Sequence, residues 1–275
     1  MRLTEAQSGA LIEIVREVAA REIKPLFRNL DAGAIDSKSA PDDLVTVADR
    51  AAELAITAAV RELLPEAAVV GEEAVSADKS VLDRVGHGQV VVIDPIDGTW
   101  NYAHGNATYG VILSVIEEGE TVFGLLYDPS YDDWIAARKG HGAWFGSGAT
   151  TRQLHLPQTP EIPDTFGFVG MYLFSKSQQA QIAAQLPAFR RTQTLRCSCH
   201  EYRLLATGAA QFGLNGMLNV WDHAAGVLIY QELGGVARLL DGRDYDPVMR
   251  EGRLMLAVSE PLWDALQERF AFLVD

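Results

Sequence analysis

Cysteine is nearly absent from this 275-residue chain, occurring only at Cys197 and Cys199. Two thiols so close in sequence are poor disulfide partners. That excludes a disulfide-stapled scaffold and predicts free thiols in a reducing compartment. Cys197-Ser198-Cys199-His200 has no second Cys/His cluster to complete a four-ligand zinc site, so it reads as small residues buried near a helix start. Positive charge is scarce as well: 23 Lys and Arg against 37 Asp and Glu leave a formal charge of -14. The densest basic pair, Arg190-Arg191, is too short for an arm that binds nucleic acid, and an acidic surface repels anionic headgroups. The apolar run Val90–Ile93 is strand-sized, far short of a membrane span. The first residues include Glu5, Glu13, Arg16 and Glu17 in place of a sustained apolar stretch, so no secretory leader is expected. These absences predict a cytoplasmic protein with neither nucleic acid nor membrane as partner. An anionic ligand then needs local positive charge, and bound divalent cations are its natural source.

Repeats and linkers rich in Gly, Ser or Pro are missing too. With 48% hydrophobic and 22% charged residues, the composition is that of a globular body of one large domain or two closely packed lobes. The reading is a mixed α/β (α+β) fold, with an N-terminal lobe over 1–155 and a C-terminal α/β lobe over 156–275. Leu11, Ile14, Val15 and Val18 recur at helical spacing and predict a helix over 3–30, interrupted at Lys24-Pro25. Small polar residues over Asp31–Ala34 and Ser37–Pro41 predict a mobile loop. A second helix is expected over 43–64, and a short strand at Val69-Val70. Strands are expected at 90–93, 108–117, 121–127 and 133–138. Beyond Pro163 the expected order is strand, helix (176–186), strand (192–195), helix (199–208), helix (222–234) and strand, then a buried strand at 254–258 and a helix over 260–273.

The chemistry concentrates in Asp94-Pro95-Ile96-Asp97-Gly98-Thr99-Trp100-Asn101, directly after the buried strand. Pro95 disfavours helix at Asp94 and keeps that residue extended. Gly98 permits a positive φ or a close backbone approach. Thr99 can open a helix, where unpaired N–H groups favour an anion such as phosphate. Gly71-Glu72-Glu73 ends a strand upstream, and Trp221-Asp222-His223-Ala224-Ala225-Gly226 opens a helix downstream. Taken singly, these read equally as a plain turn, solvated loop charges and a helix N-cap. Together they place hard oxygen ligands at the ends of three elements, as magnesium requires. Two like charges about 4 Å apart oppose folding by roughly 4 kcal/mol at an effective dielectric of about 20. Converging carboxylates must therefore take up protons or cations.

With these motifs in order, and with Asp43-Leu-Val-Thr46-Val-Ala-Asp49 preceding them, the chain resembles the inositol monophosphatase family. The resemblance implies a layered αβαβα sandwich and magnesium-dependent hydrolysis of a small phosphate monoester, first of all inositol monophosphate. It implies two to three Mg2+ ions, held by Glu72, Asp94, the carbonyl of Ile96, Asp97 and Asp222. Asp49 and Thr99 would orient and help deprotonate the attacking water, and Glu73 would support the metal cluster. The N–H groups of Gly98 and Thr99 would hold phosphate oxygens, and Lys38 would sit on the mobile loop that closes over the ions. No phosphoenzyme is needed, and His104, His141, His200 and His223 are read as loop or packing residues. The resemblance also implies lithium sensitivity and a homodimer.

Two positions depart from the family's usual pattern. Asn215 stands six residues before Trp221, where a glutamate that binds ring hydroxyls is common, and it keeps hydrogen bonding without the charge. Arg196-Cys197-Ser198 replaces a Gly-Ser/Thr-Ala segment that wraps the ring. Arg196 either reaches substrate or pairs with a surface acid. Asn215, Arg196, Cys197, Ser198 and Asp222 are the expected substrate contacts, and Trp100 is read as packing. Histidinol phosphate, fructose bisphosphate or a 3′-phosphonucleotide are the alternative substrates. A non-catalytic regulatory protein is the alternative class.

Overall fold

The structure, a computed structural model, describes residues 3–31, 33–38 and 40–274. Helix α1 (Glu5–Val18) starts behind a Thr4/Gln7 capping box. It continues as a π turn over Ala19–Ile23 and a 3-10 turn at Lys24–Leu26, where Pro25 removes a backbone donor. A small antiparallel hairpin follows, β1 (Ile35–Ser37) and β2 (Leu44–Thr46), and leads into α2 (Val47–Leu63). The helix expected to begin at 43 begins four residues later. Thr46 is extended and caps α2, with Asp49 closing the capping box, so the chain before it is free to pair as a strand. Of the loop residues expected to be mobile, Ala32 and Ser39 lie outside the described residues.

The next elements are β3 (Ala68–Gly71), α3 (Glu72–Ala77), β4 (Gln89–Asp97), α4 (Thr99–Ala103), β5 (Gly110–Glu117), β6 (Glu120–Asp128), β7 (Asp133–Arg138), β8 (Ala143–Ser147) and β9 (Thr150–Gln153). Strands β3 to β9 form one sheet in sequence order; only β3 and β4 pair in parallel. The chain then gives β10 (Phe166–Val169), α5 (Lys176–Gln185), β11 (Arg191–Gln193), α6 (Ser198–Ala206), β12 (Phe212–Asn215), α7 (Val220–Glu232), β13 (Val236–Leu239), β14 (Leu254–Ala257) and α8 (Glu260–Arg269). Its strands form a second sheet, ordered β11-β10-β12-β14-β13. Strands β8, β9 and β12 were not among those expected. β9 is Thr-Thr-Arg-Gln, exposed throughout, and β12 is four residues long, so neither carries a usable alternation.

Packing stacks these elements in five layers. Leu11, Val15, Ile56 and Val60 of α1 and α2 cover one face of the first sheet, against Val91, Ile93 and Leu113. Its other face, with Ile112, Leu126 and Ile135, meets α6 and α7, which in turn meet Phe168, Ala237 and Leu256 of the second sheet. The outer face of that sheet is closed by Ile182 of α5 and Leu262, Trp263 and Leu266 of α8. The expected αβαβα sandwich is therefore what the chain forms. Helix α7 is buried at every residue from His223 to Tyr230, as a helix apolar all round must be when sheets lie on both sides. Its N-terminus meets the end of β4 between the two sheets. No helix among the described residues is long and apolar enough to cross a membrane.

Candidate active site

Asp94 and Asp97 stand three residues apart on β4, a spacing that sends side chains to opposite faces of a regular strand. The strand is irregular at that point: Asp94 pairs with Ile112 and Asp97 with Gly110, so β4 spends one residue more than β5 over the interval. Such a bulge restores the parity and turns both carboxylates to one side. Pro95, which cannot donate to a ladder, sits inside it. Gly98 follows at φ 85, and a Cβ there would meet Thr108 O at 3.0 Å and Cys197 Cβ at 3.2 Å. The third acid, Asp222, lies in the first turn of α7, where Asn219 is the N-cap and donates from Nδ2 to Asp222 Oδ2 at 3.0 Å. Asp222 is thus not the cap itself. Ligand oxygens of Asp94, Asp97 and Asp222 all lie within 4.8 Å of one another.

Each of the three is held differently. Asp97 accepts hydrogen bonds from Cys197 Sγ at 3.2 Å and from the Cys199 N–H, so the start of α6 stabilises its charge. Burial still pushes its pKa up to about 6. Asp94 is 2% exposed and its Oδ1 has no hydrogen-bond partner. Burial, then Glu72, Asp97 and Asp222, push its pKa well above the carboxylate range. Asp222 is raised by burial, then by Asp97 and Glu72. An orphaned carboxylate oxygen among acids suits a hard divalent cation.

The Gly71-Glu72-Glu73 corner closes on the same place. Lys38 Nζ donates to Glu72 Oε1 at 2.8 Å and to Glu73 Oε1 at 2.6 Å. Burial alone would lower the Lys38 pKa, yet Glu72 and Glu73 hold it above its ordinary value. Behind the corner, Asp49 is fully buried and accepts from Thr46 N at 2.9 Å and Thr46 Oγ1 at 2.5 Å. Its other oxygen accepts from Thr99 Oγ1 at 3.1 Å, and Ile96 O lies 2.9 Å from the same hydroxyl. Burial raises the Asp49 pKa to about 7.

Residues 3–273 match the profile of the inositol monophosphatase family. The chain belongs to that family. An inositol-1-monophosphatase of Bacillus subtilis is 28% identical over 233 residues, covering 84% of each chain. The fructose-1,6-bisphosphatase/inositol-1-monophosphatase of Thermotoga maritima is 27% identical over 210 residues, 76% of this chain and 77% of the relative. In three dimensions, inositol monophosphatase-II from Staphylococcus aureus superposes with a TM-score of 0.82 at 24% identity, over 97% and 96% of the two chains. Inositol monophosphatase family members are phosphatases that hydrolyse phosphate monoesters and generally use divalent metal ions, so this chain is a phosphoric monoester hydrolase.

On the substrate side, the expected contact residues make these bonds within the chain. The donors of Cys197 and Cys199 are engaged by Asp97, with Ser198 N–H aimed at the same carboxylate. Asn215 accepts from Met217 N at 3.4 Å and, with Ser198 and Glu201, lines a small cavity. Trp100, read as packing, is half-buried and stacked on His104 at 4.2 Å, with the Arg196 guanidinium 4.7 Å from its ring. His223 is buried against Tyr202 and Met217, and His200 bonds Tyr109 O, both as packing residues. Sequence reasoning missed Glu53, which accepts from Glu73 N at 2.8 Å and Ala74 N at 2.9 Å and so caps α3. A Cβ on Gly71 would lie 2.1 Å from Glu53 Cδ, which is why that corner needs glycine. The signal was available: Glu53 stands four residues after Asp49, an acid on the buried stripe of α2.

Proposed function

We propose that this protein hydrolyses the phosphate monoester of a small polyol in a Mg2+-dependent reaction, with inositol monophosphate as first candidate. The observation that carries this is the meeting of Asp94, Asp97 and Asp222 within 4.8 Å, with Asp94 Oδ1 buried and unpartnered. In this reading Glu72, Asp94 and the carbonyl of Ile96 hold one ion and Asp94, Asp97 and Asp222 a second, with a weaker third near Glu72. Bound Mg2+ neutralises charge on the phosphoryl and leaving oxygens and acidifies water. The chain's own residues do the rest. Thr99 Oγ1 orients the attacking water, and Asp49 Oδ1, 3.1 Å away, takes up the proton relayed through that hydroxyl. An Asp49 pKa near 7 suits a base working at neutral pH. Glu53 fixes the backbone of Glu73, so that Glu72 and Glu73 are presented together. The N–H groups of Gly98 and Thr99 face the phosphate, and Asn215 and Asp222 the polyol hydroxyls.

The family resemblance supports lithium inhibition and a homodimer, and the two buried free thiols support a cytoplasmic location. The Thermotoga relative, named for both activities, makes fructose bisphosphate the second candidate substrate. The deciding experiment measures phosphate release from inositol 1-phosphate, fructose 1,6-bisphosphate, histidinol phosphate and a 3′-phosphonucleotide, with and without Mg2+ and Li+. Mg2+-dependent, Li+-inhibited release from a polyol phosphate is expected. Release from none of them would overturn the proposal.

A further inference from the structure

Arg196 holds a backbone conformation that favours glycine, at φ 53, immediately beside the acid cluster. Its carbonyl would lie 3.4 Å from a Cβ on Gly98, and Asn101 Nδ2 donates to Leu195 O at 2.9 Å. The next residue, Cys197, donates to Asp97. This bracing aims a long cationic side chain along the rim of the site. There the guanidinium carbon stands 4.7 Å from the Trp100 ring centroid and 5.8 Å from that of Tyr172. Tyr172 is itself exposed, so the stack stands at the surface of the molecule. Because the adjacent Cys197 bonds Asp97, which meets Asp222 within 4.8 Å, the stacked guanidinium borders the cleft of these acids. Its acidic partner is Asp42 from the β1–β2 connection, at 3.2 Å, with side chains 34% and 64% exposed. An exposed pair of this kind is weak and open to exchange.

We infer that Arg196 is a specificity-determining residue, binding a second phosphate on a polyol whose scissile phosphate sits at the acid cluster. The inference rests on the phosphatase reading and, within it, ranks bisphosphorylated polyols above the monophosphate named first. A planar guanidinium pre-positioned on aromatic faces has lost its side-chain freedom already and offers a fork that matches phosphate oxygens. In a chain of net charge -14, a fixed cation at the mouth is what a doubly anionic substrate requires. Binding the second phosphate displaces Asp42 from the guanidinium.

The test compares kcat/KM for inositol 1,4-bisphosphate against inositol 1-phosphate, and for fructose 1,6-bisphosphate against fructose 1-phosphate. The holoenzyme is assayed as wild type, Arg196→Gly, Arg196→Lys and Asp42→Asn. Glycine accepts the positive φ, so the first variant keeps the fold. The wild type is expected to favour the bisphosphates. Arg196→Gly should lower that preference about tenfold, through KM, and Arg196→Lys should restore part of it. Asp42→Asn should raise the preference about two- to fivefold, because the competing carboxylate is gone. A salt bridge that merely latched the β1–β2 hairpin would move Arg196→Gly and Asp42→Asn in the same direction, and that result overturns the inference. So does a wild type that shows no preference while still hydrolysing the monophosphates, which leaves the phosphatase reading intact. Failure to hydrolyse any ester overturns both.

Discussion

Glu53 Oε2 accepts the backbone N–H of Glu73 at 2.8 Å, tying the buried stripe of α2 to the first turn of α3. Its second oxygen takes the Ala74 N–H at 2.9 Å. A glutamine there keeps one acceptor oxygen and turns an NH2 group against a second donor. Leaving a buried donor unmet costs about 1–3 kcal/mol. Glu53→Gln is therefore expected to lower the Tm of the metal-free protein and to reduce kcat by displacing Glu72 and Glu73. Calorimetry and steady-state kinetics on one preparation check this, and an unchanged Tm would remove Glu53 from the account.

Asp94 has the opposite balance. It is buried, raised by its acidic neighbours and unsatisfied at Oδ1. Asp94→Asn should abolish turnover, by at least about 10²–10³-fold, while the fold is retained. The metal-free Tm at neutral pH should rise, because folding no longer has to place a proton on a buried acid that the unfolded chain leaves ionised. Turnover at the wild-type rate is the result that ends the ligand assignment.

The proton path gives a third expectation. With Asp49 near 7 and 3.1 Å from Thr99 Oγ1, both Asp49→Asn and Thr99→Ala should lower kcat about 10²-fold. Asp49→Asn should also flatten the acidic limb of the kcat–pH profile. A limb that persists unchanged in the Asp49 variant assigns the titration to another group.

Stability against pH follows from the same acids. Burial raises Asp49 and Glu53 to about 7 and Asp97 to about 6, and raises Asp94 and Asp222 well above the ordinary carboxylate value. Between their unfolded values near 4 and these folded values, the native state holds protons that the unfolded chain has released. Stability from this set is thus complete below about pH 4 and is lost as pH rises through 6 to 7 and beyond. Asp132, held down to about 2 by Arg16, works in the other sense but only at lower pH. The metal-free Tm should fall between pH 5 and 8, and saturating Mg2+ should reduce or reverse that fall. A Tm flat across this range without Mg2+ contradicts the crowded-acid account.

By itself the sequence determined the helices α1, α2 and α7, the β-meander, the acid motifs and their order, because those signals are local. Period 3.6, apolar strand runs, the glycine after Asp97 and the proline after Asp94 each act within a few residues. Arg196 was visible as a departure, with substrate and surface acid both open as its partner. Tertiary structure decided the rest. The bulge that brings Asp94 and Asp97 to one side depends on pairing with β5. The N–H groups that hold Asp97 come from about 100 residues away, at the start of α6. Glu53 gains its role only because α3 starts where α2 passes. Arg196 meets Asp42, Trp100 and Tyr172 across three separate segments. Contacts of that kind belong to the packing of layers, and a burial pattern shows which side chains turn inward without showing which of them meet.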